Sequence, residues 1–457
     1  MKGELQYIGR HAGTVLAGQL AVMAFGTTDT IVASRYSNDA VAALSVGSAI
    51  FISVYASLMG IFQALLPLWS EQRGAGQPLA IGQSLRQSMY LCAMACVLGM
   101  AVLLMPGALL HWTGVPDALQ LEVKRYLAVL AWGLPPALLF RIYSALNQAL
   151  GHPKLVTWLQ LISLLIKIPL SIWFTFGGLG LAPLGAVGCA LATLLVNYTM
   201  FAVALWLMRT QDFYAPLALW QKLERPDWLQ LGRFCRLGIP AGLAILVEVT
   251  SFTLMALYVA RQGSLSSASH QIAANLAAIC YMVPLSLAIA TSARVSYWRG
   301  AGDEAQARTL IQQCFKLALF IGIATAATLL IARTWIADIY TDSPRVLAVT
   351  SWLLICVAAY HVADCVQTYC IFVLRCYRVT VAPLVIYCLL LWGGGLGLGY
   401  WLTYRWQAAE GWLDWQSTPM PFWVCSAAAL FVTAMAFSSI LHRAIQPPKP
   451  QTQPGAS

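Results

Sequence analysis

Arg73-Gly74-Ala75-Gly76 and Arg299-Gly300-Ala301-Gly302 stand 226 positions apart in a chain of 457 residues, and this recurrence decides how the rest is read. Each tetrapeptide closes an apolar run long enough to cross a bilayer, the first beginning near Ala40 and the second near Ser269. At the same offset Arg35 matches Arg261, each ending the first helix of its half. Matches at corresponding places point to a duplicated unit. Both tetrapeptides fall on one side of the membrane, so the halves are parallel repeats about an axis along the membrane normal, with the path for a substrate between them.

The composition sets the environment. Hydrophobic residues make up 60% of the chain and charged ones 10%, with mean hydropathy +0.71; a soluble domain carries about 25% charged residues. Further apolar runs begin near Thr14, Met89, Leu127, Leu155 and Gly185, then near Leu237, Cys314, Val346, Val381 and Phe422. Each is bounded by Gly, Pro or charge. The expectation is an all-α integral membrane protein of about twelve transmembrane helices in two six-helix lobes. Residues 1–208 form the first lobe, 209–236 a charged connector, 237–442 the second lobe, and 443–457 a disordered Pro/Gln/Ser-rich tail.

Several classes are excluded on the same grounds. The net charge of +10 comes from basic residues in ones and twos at the ends of apolar runs, which follows the positive-inside rule and offers nucleic acid no patch. Most of the 27 basic residues fall on the side holding both termini, so both ends are expected in the cytoplasm. The twelve cysteines lie singly, mostly in apolar runs, without zinc-site spacing. The N-terminus lacks the features of a cleavable signal. No cofactor is expected, and no enzyme signature appears. A pore loop or filter ring is likewise missing from the sequence.

Ionisable groups inside spans are costly and mark function. Here they are Asp29, Arg141, Lys167, Glu248 and Asp364, with His270 and His361 nearby. Helix rise puts Glu248 and Asp364 at one level, about 15–17 Å deep. Two carboxylates there cannot both stay charged without a cation or a shared proton, which is the chemistry of an ion-coupling site. A structural pair hydrogen-bonded between helices is the other reading. Tyr360 and Gln367 share the helix face of Asp364 and add oxygens suited to a hard cation such as Na+. Asp29 and Lys167 fall within about one turn in depth, close enough for a salt bridge that protonation of Asp29 would break. His270 and His361 read as helix-packing residues, and the aromatic residues as interface belts.

Longer stretches carry a resemblance. The first helix reads GQLAVMAFGTTDTIVASRYS, with Gln19 and Asp29; the seventh reads GIPAGLAILVEVTSF around Glu248. The eighth reads SHQIAANLAAICYMVPLSLAIATSARV, including Asn275, and the tenth carries YHVADCVQTY around Asp364. WGLPPALLFRIYSALNQALGHP lies in the first half. Together these resemble the multidrug and toxic compound extrusion (MATE) family, in its bacterial NorM-like branch, from about His11 to Leu441. The resemblance implies a V-shaped pair of lobes that expels organic cations in exchange for Na+ or H+; a bacterial inner membrane and a monomer are the accompanying expectations. It also implies that Glu248, Tyr360 and Asp364 form the second lobe's cation site. Asp29 and Thr193 match first-lobe residues tied to proton or substrate binding.

The fifth helix departs from the family pattern, having Lys167 and Ser171 where the family usually shows Asn followed by Asn or Asp. The expectation is that Lys167 stands in for a cation beside Asp29. The rival reading is a flippase for lipid-linked saccharides or anionic lipids, which would need several basic residues facing the cavity; only Arg141 and Lys167 qualify. A major-facilitator transporter would carry an acidic and basic signature after its second helix, and Ser70-Glu71-Gln72-Arg73-Gly74 matches it poorly.

Overall fold

The computed structural model describes residues 2–107, 110, 116–178, 180–406 and 417–446. These residues form twelve helices long and apolar enough to span a membrane. The first six are Gly3–Tyr36, Asn38–Gly74, Pro78–Leu104, Leu119–Ala149, Pro153–Phe176 and Ala186–Thr210. The second six are Trp228–Ala260, Ser264–Gly300, Glu304–Ile331, Pro344–Cys376, Val381–Tyr404 and Met420–Ala444. The second helix and the eighth start and end at positions 226 apart, so the repeat read from two tetrapeptides extends over whole helices.

Two spans are irregular. The second helix breaks between Gln63 and Leu66, just ahead of Pro67, whose ring clashes with the carbonyl four residues back. The eleventh runs as an α-helix over Val381–Tyr387, widens to a π-helix over Cys388–Gly397 and returns to α over Leu398–Tyr404. That wide stretch contains Gly393, Gly394 and Gly395, which add no side chain to resist it.

The duplicated tetrapeptides are mechanical parts. Arg73 Nη1 donates to Ala149 O at 3.2 Å, binding the end of the fourth helix to that of the second. Arg299 Nη1 donates to Cys376 O and does the same for the tenth and eighth helices. Arginine suits this task because the last carbonyls of a helix have no partner within it. The adjoining glycines join the lobes. A Cβ on Gly74 would lie 1.9 Å from Tyr297 O, and one on Gly300 would lie 1.9 Å from Glu71 O. Positions 71 and 297 are again 226 apart, so the contact is pseudo-twofold.

An ion pair reinforces this seam. Arg294 of the eighth helix donates from Nε and Nη2 to both oxygens of Glu4, each at 2.5 Å. Its guanidinium lies 4.7–5.0 Å from the ring centroids of Tyr7, Tyr297 and Trp298. A bidentate pair stacked on aromatic faces is a specific joint that Lys could not reproduce.

The boundary between lobes differs from the sequence expectation. The seventh helix starts at Trp228 instead of near Leu237, because Asp227 caps it by accepting from Leu229 N and Gln230 N. Arg233 and Arg236 therefore lie on the helix and not in a loop. The twelfth helix continues to Ala444, past the expected start of the tail, and residues 447–457 lie outside the described residues.

The connector is fastened to the third helix. Arg86 donates to Ala218 O at 2.7 Å and to Glu224 Oε1 at 2.6 Å, and Tyr90 donates to Glu224 O at 2.7 Å. Gln87 donates to Arg225 O and accepts from Asp227 N, both at 3.0 Å. Arg86→Ala removes bonds worth about 1 kcal/mol each. Trypsin is then expected to cut after Lys222 several times faster in purified protein. Unchanged cleavage would show that Arg86 does not hold the connector.

Candidate functional site

The first-lobe cluster is built from three helices. Asp29 lies on the first, Lys167 and Ser171 one turn apart on the fifth, and Thr193 on the sixth. Lys167 is fully buried, and Asp29 is 8% exposed. Lys167 Nζ donates to Asp29 Oδ2 at 2.9 Å and to Thr193 Oγ1 at 2.5 Å, and it sits 5.4 Å from the centroid of the Phe25 ring. Ser171 Oγ donates to the other carboxylate oxygen, Asp29 Oδ1, at 3.2 Å. The charges cancel, and both carboxylate oxygens have protein partners.

The second-lobe cluster has a different character. Asp364 is 2% exposed, and its Oδ1 accepts from Gln367 Nε2 at 2.9 Å and from Thr368 Oγ1 at 3.5 Å. Gln367 Oε1 in turn accepts from the Tyr387 hydroxyl on the eleventh helix. Gln367 therefore presents its amide as a donor to the acid, where the sequence reading had it offering an oxygen. Glu248, on the seventh helix, is half-buried. Among the described residues no hydrogen bond reaches its carboxylate, and the charges acting on it are Asp364 and Arg375. Tyr360 lies one turn from Asp364, with its ring edge-on to Phe252 and Trp423 at 5.9 Å from each.

The other candidates separate from these clusters. His270 Nδ1 accepts from Trp423 Nε1 at 3.2 Å, a packing contact between the eighth and twelfth helices. His361 lies 3.4 Å from Cys365 Sγ on its own helix. Asn275 is exposed, and no hydrogen bond reaches its side chain among the described residues. Gln19 is half-buried and likewise makes none. Arg141 is 8% exposed, and among the described residues its Nε has no hydrogen-bond partner and Tyr55 is the ionisable group that acts on it.

The sequence reading missed Thr368, Tyr387 and Arg375. Thr368 follows Asp364 by four residues, so helical spacing could have found it. Tyr387 is on another helix and gives no local signal. Arg375, about three turns beyond Asp364, reads as a flanking basic residue at a helix end. In the structure it is 2% exposed, and among the described residues no hydrogen-bond partner reaches Nε or Nη1.

Twelve spans in two repeated lobes, each with ionisable groups buried at membrane depth, define a membrane transporter fold of the parallel-repeat type. The chain belongs to the MatE family, whose model matches residues 15–173 and 240–401. It is 36% identical over 442 residues to a probable multidrug resistance protein NorM from Aromatoleum aromaticum, covering 96% of this chain and 94% of that one. It is 32% identical over 443 residues to the multidrug resistance protein MdtK from Klebsiella pneumoniae, covering 94% and 96% respectively. Among solved structures it is similar to the eukaryotic MATE transporter AtDTX14, with TM-score 0.84 and 17% identity. It is also similar to the Vibrio cholerae MATE transporter VcmN in the bent form, with TM-score 0.83 and 17% identity. Each comparison covers 97% of both chains. These likenesses establish the fold and leave the chemistry to the residues.

Proposed function

We propose that this protein is a cation-coupled antiporter that expels organic cations by alternating access, with Glu248 and Asp364 taking up Na+ or H+. The multidrug resistance names of its relatives support the substrate class. The observation that carries the coupling reading is Glu248, a half-buried carboxylate that no hydrogen-bond donor reaches among the described residues, within electrostatic reach of the buried Asp364. Like charges so placed bind a cation or a proton strongly when access opens. Occupied, the pair loses its attraction for a lipophilic cation; emptied, it regains it. Such competition is a negative coupling between two ligands, and the coupling acts equally on both.

The same geometry weighs against anionic lipid as the substrate. Lys167, one of the two basic candidates for a lipid headgroup, is committed to Asp29. We place both chain ends in the cytoplasm on the distribution of basic residues between the loops.

The test is ethidium efflux from proteoliposomes under imposed Na+ or H+ gradients. Wild-type efflux is expected to follow one gradient, and Glu248→Gln and Asp364→Asn are expected to lose that dependence while inserting normally. If the wild type moves no cationic dye under either gradient, the reading fails.

A further inference from the structure

Asp29, buried on the first helix, and Glu248, half-buried on the seventh, are treated in opposite ways. Among the described residues no donor reaches Glu248, whereas Lys167 and Ser171 hold the two carboxylate oxygens of Asp29. The ammonium of Lys167 has three hydrogens. It has three partners: Asp29 Oδ2, Thr193 Oγ1 and the face of Phe25. The ammonium is the point charge of a small monovalent cation on a four-carbon stem, and the helix that carries it fixes its location. Around it lie a carboxylate and the hydroxyls of Thr193 and Ser171, a set of oxygens that a hard cation would accept in its place.

From this arrangement we infer that Lys167 is a tethered cation that closes the Asp29 cluster to transported inorganic cations, so that the second lobe alone binds the coupling ion. The inference rests on the proposed antiport for its second half, while the closure of Asp29 stands on geometry. Protonating Asp29 would leave a fully buried ammonium without its counter-charge, so the pair resists a proton as well as Na+. Lys167 thereby fixes how many coupling ions can enter per cycle, although it touches neither Glu248 nor Asp364.

The experiment is 22Na+ binding to the purified full-length protein in detergent, read by scintillation proximity. Glu248→Gln with Asp364→Asn is expected to leave no saturable 22Na+ binding. Adding Lys167→Gln to that background is expected to create a saturable site, and adding Asp29→Asn as well is expected to remove it. Lys167→Asn serves as a second substitution if Lys167→Gln does not fold. Should the second-lobe double variant retain 22Na+ binding that Asp29→Asn abolishes, the first lobe binds cations despite its lysine and the inference is wrong. A folded Lys167 variant that gains no site overturns it too, since the cluster would then be an ordinary salt bridge. The antiport reading fails separately, through dye efflux indifferent to both gradients.

Discussion

Lys167→Met is expected to be the most destabilising single substitution in the first lobe, by about 3–5 kcal/mol, because it strands a buried carboxylate. Among the described residues Asp29 would keep only the neutral hydroxyls of Ser171, at 3.2 Å, and Thr193 as side-chain partners. The paired change Asp29→Asn with Lys167→Met should recover most of that loss, since replacing both members of a buried pair by neutral groups is often nearly neutral. The midpoint of thermal unfolding in detergent, followed by size-exclusion chromatography, reads both effects. Recovery in the double variant assigns the cost to the unpaired charge. A Lys167→Met protein that melts with the wild type would mean that water or a rearranged side chain already satisfies Asp29. If the vacated site takes Na+, added Na+ should raise the midpoint of the single variant by more than that of the double variant, in which only the second lobe can bind the ion.

Gly300→Ala and Gly74→Ala are expected to impair efflux severely and to similar extents. In each case the new methyl carbon would sit 1.9 Å from a backbone oxygen of the opposite lobe, and a backbone atom cannot swing aside as a side chain can. Overpacking of this kind costs about 1–3 kcal/mol. The cost falls only on the state in which the lobes are joined at this seam, so it shifts the balance toward parted lobes by about 5–150-fold. Distance measurements between labels on the two lobes, paired with dye efflux in proteoliposomes, would register the shift. Normal efflux by either variant would show that the seam is not a working gate. A loss in one variant alone would break the symmetry that the two contacts display.

The spans and their duplication were legible because bilayer thickness forces long apolar runs and because the Arg-Gly-Ala-Gly copies kept their spacing. Depth counted along helices also placed Asp29 near Lys167, since a straight helix converts residue number into height. Counting fails wherever position depends on a partner helix or on a cap. Trp228 begins the seventh helix because of Asp227, a detail that the hydropathy of the following run conceals. Gln367 was expected to offer an oxygen to a cation, but the hydroxyl of Tyr387 takes that oxygen and turns the amide donor toward Asp364. Asn275 sits in a family-like stretch yet is exposed, because likeness of sequence does not say which face of a helix a residue occupies. Arg375 was hidden by its type, since a basic residue at a helix end is the ordinary mark of a membrane boundary.

The repeat has one further physical consequence. At the offset that aligns the two halves, the residue matching Glu248 is Val22, and Asp29 stands seven positions further along the first helix. Seven residues of helix rise about 10 Å, roughly a third of the hydrocarbon thickness. A membrane potential acts on each elementary charge with about 2.3 kcal/mol per 100 mV across the whole bilayer, so the two acids differ by about 0.8 kcal/mol per 100 mV. Voltage thus reads the two lobes unequally. On the proposed antiport, with Lys167 neutralising Asp29, the field acts on the charge bound at Glu248 and Asp364 and on the organic cation that crosses in exchange, and leaves the first-lobe pair aside.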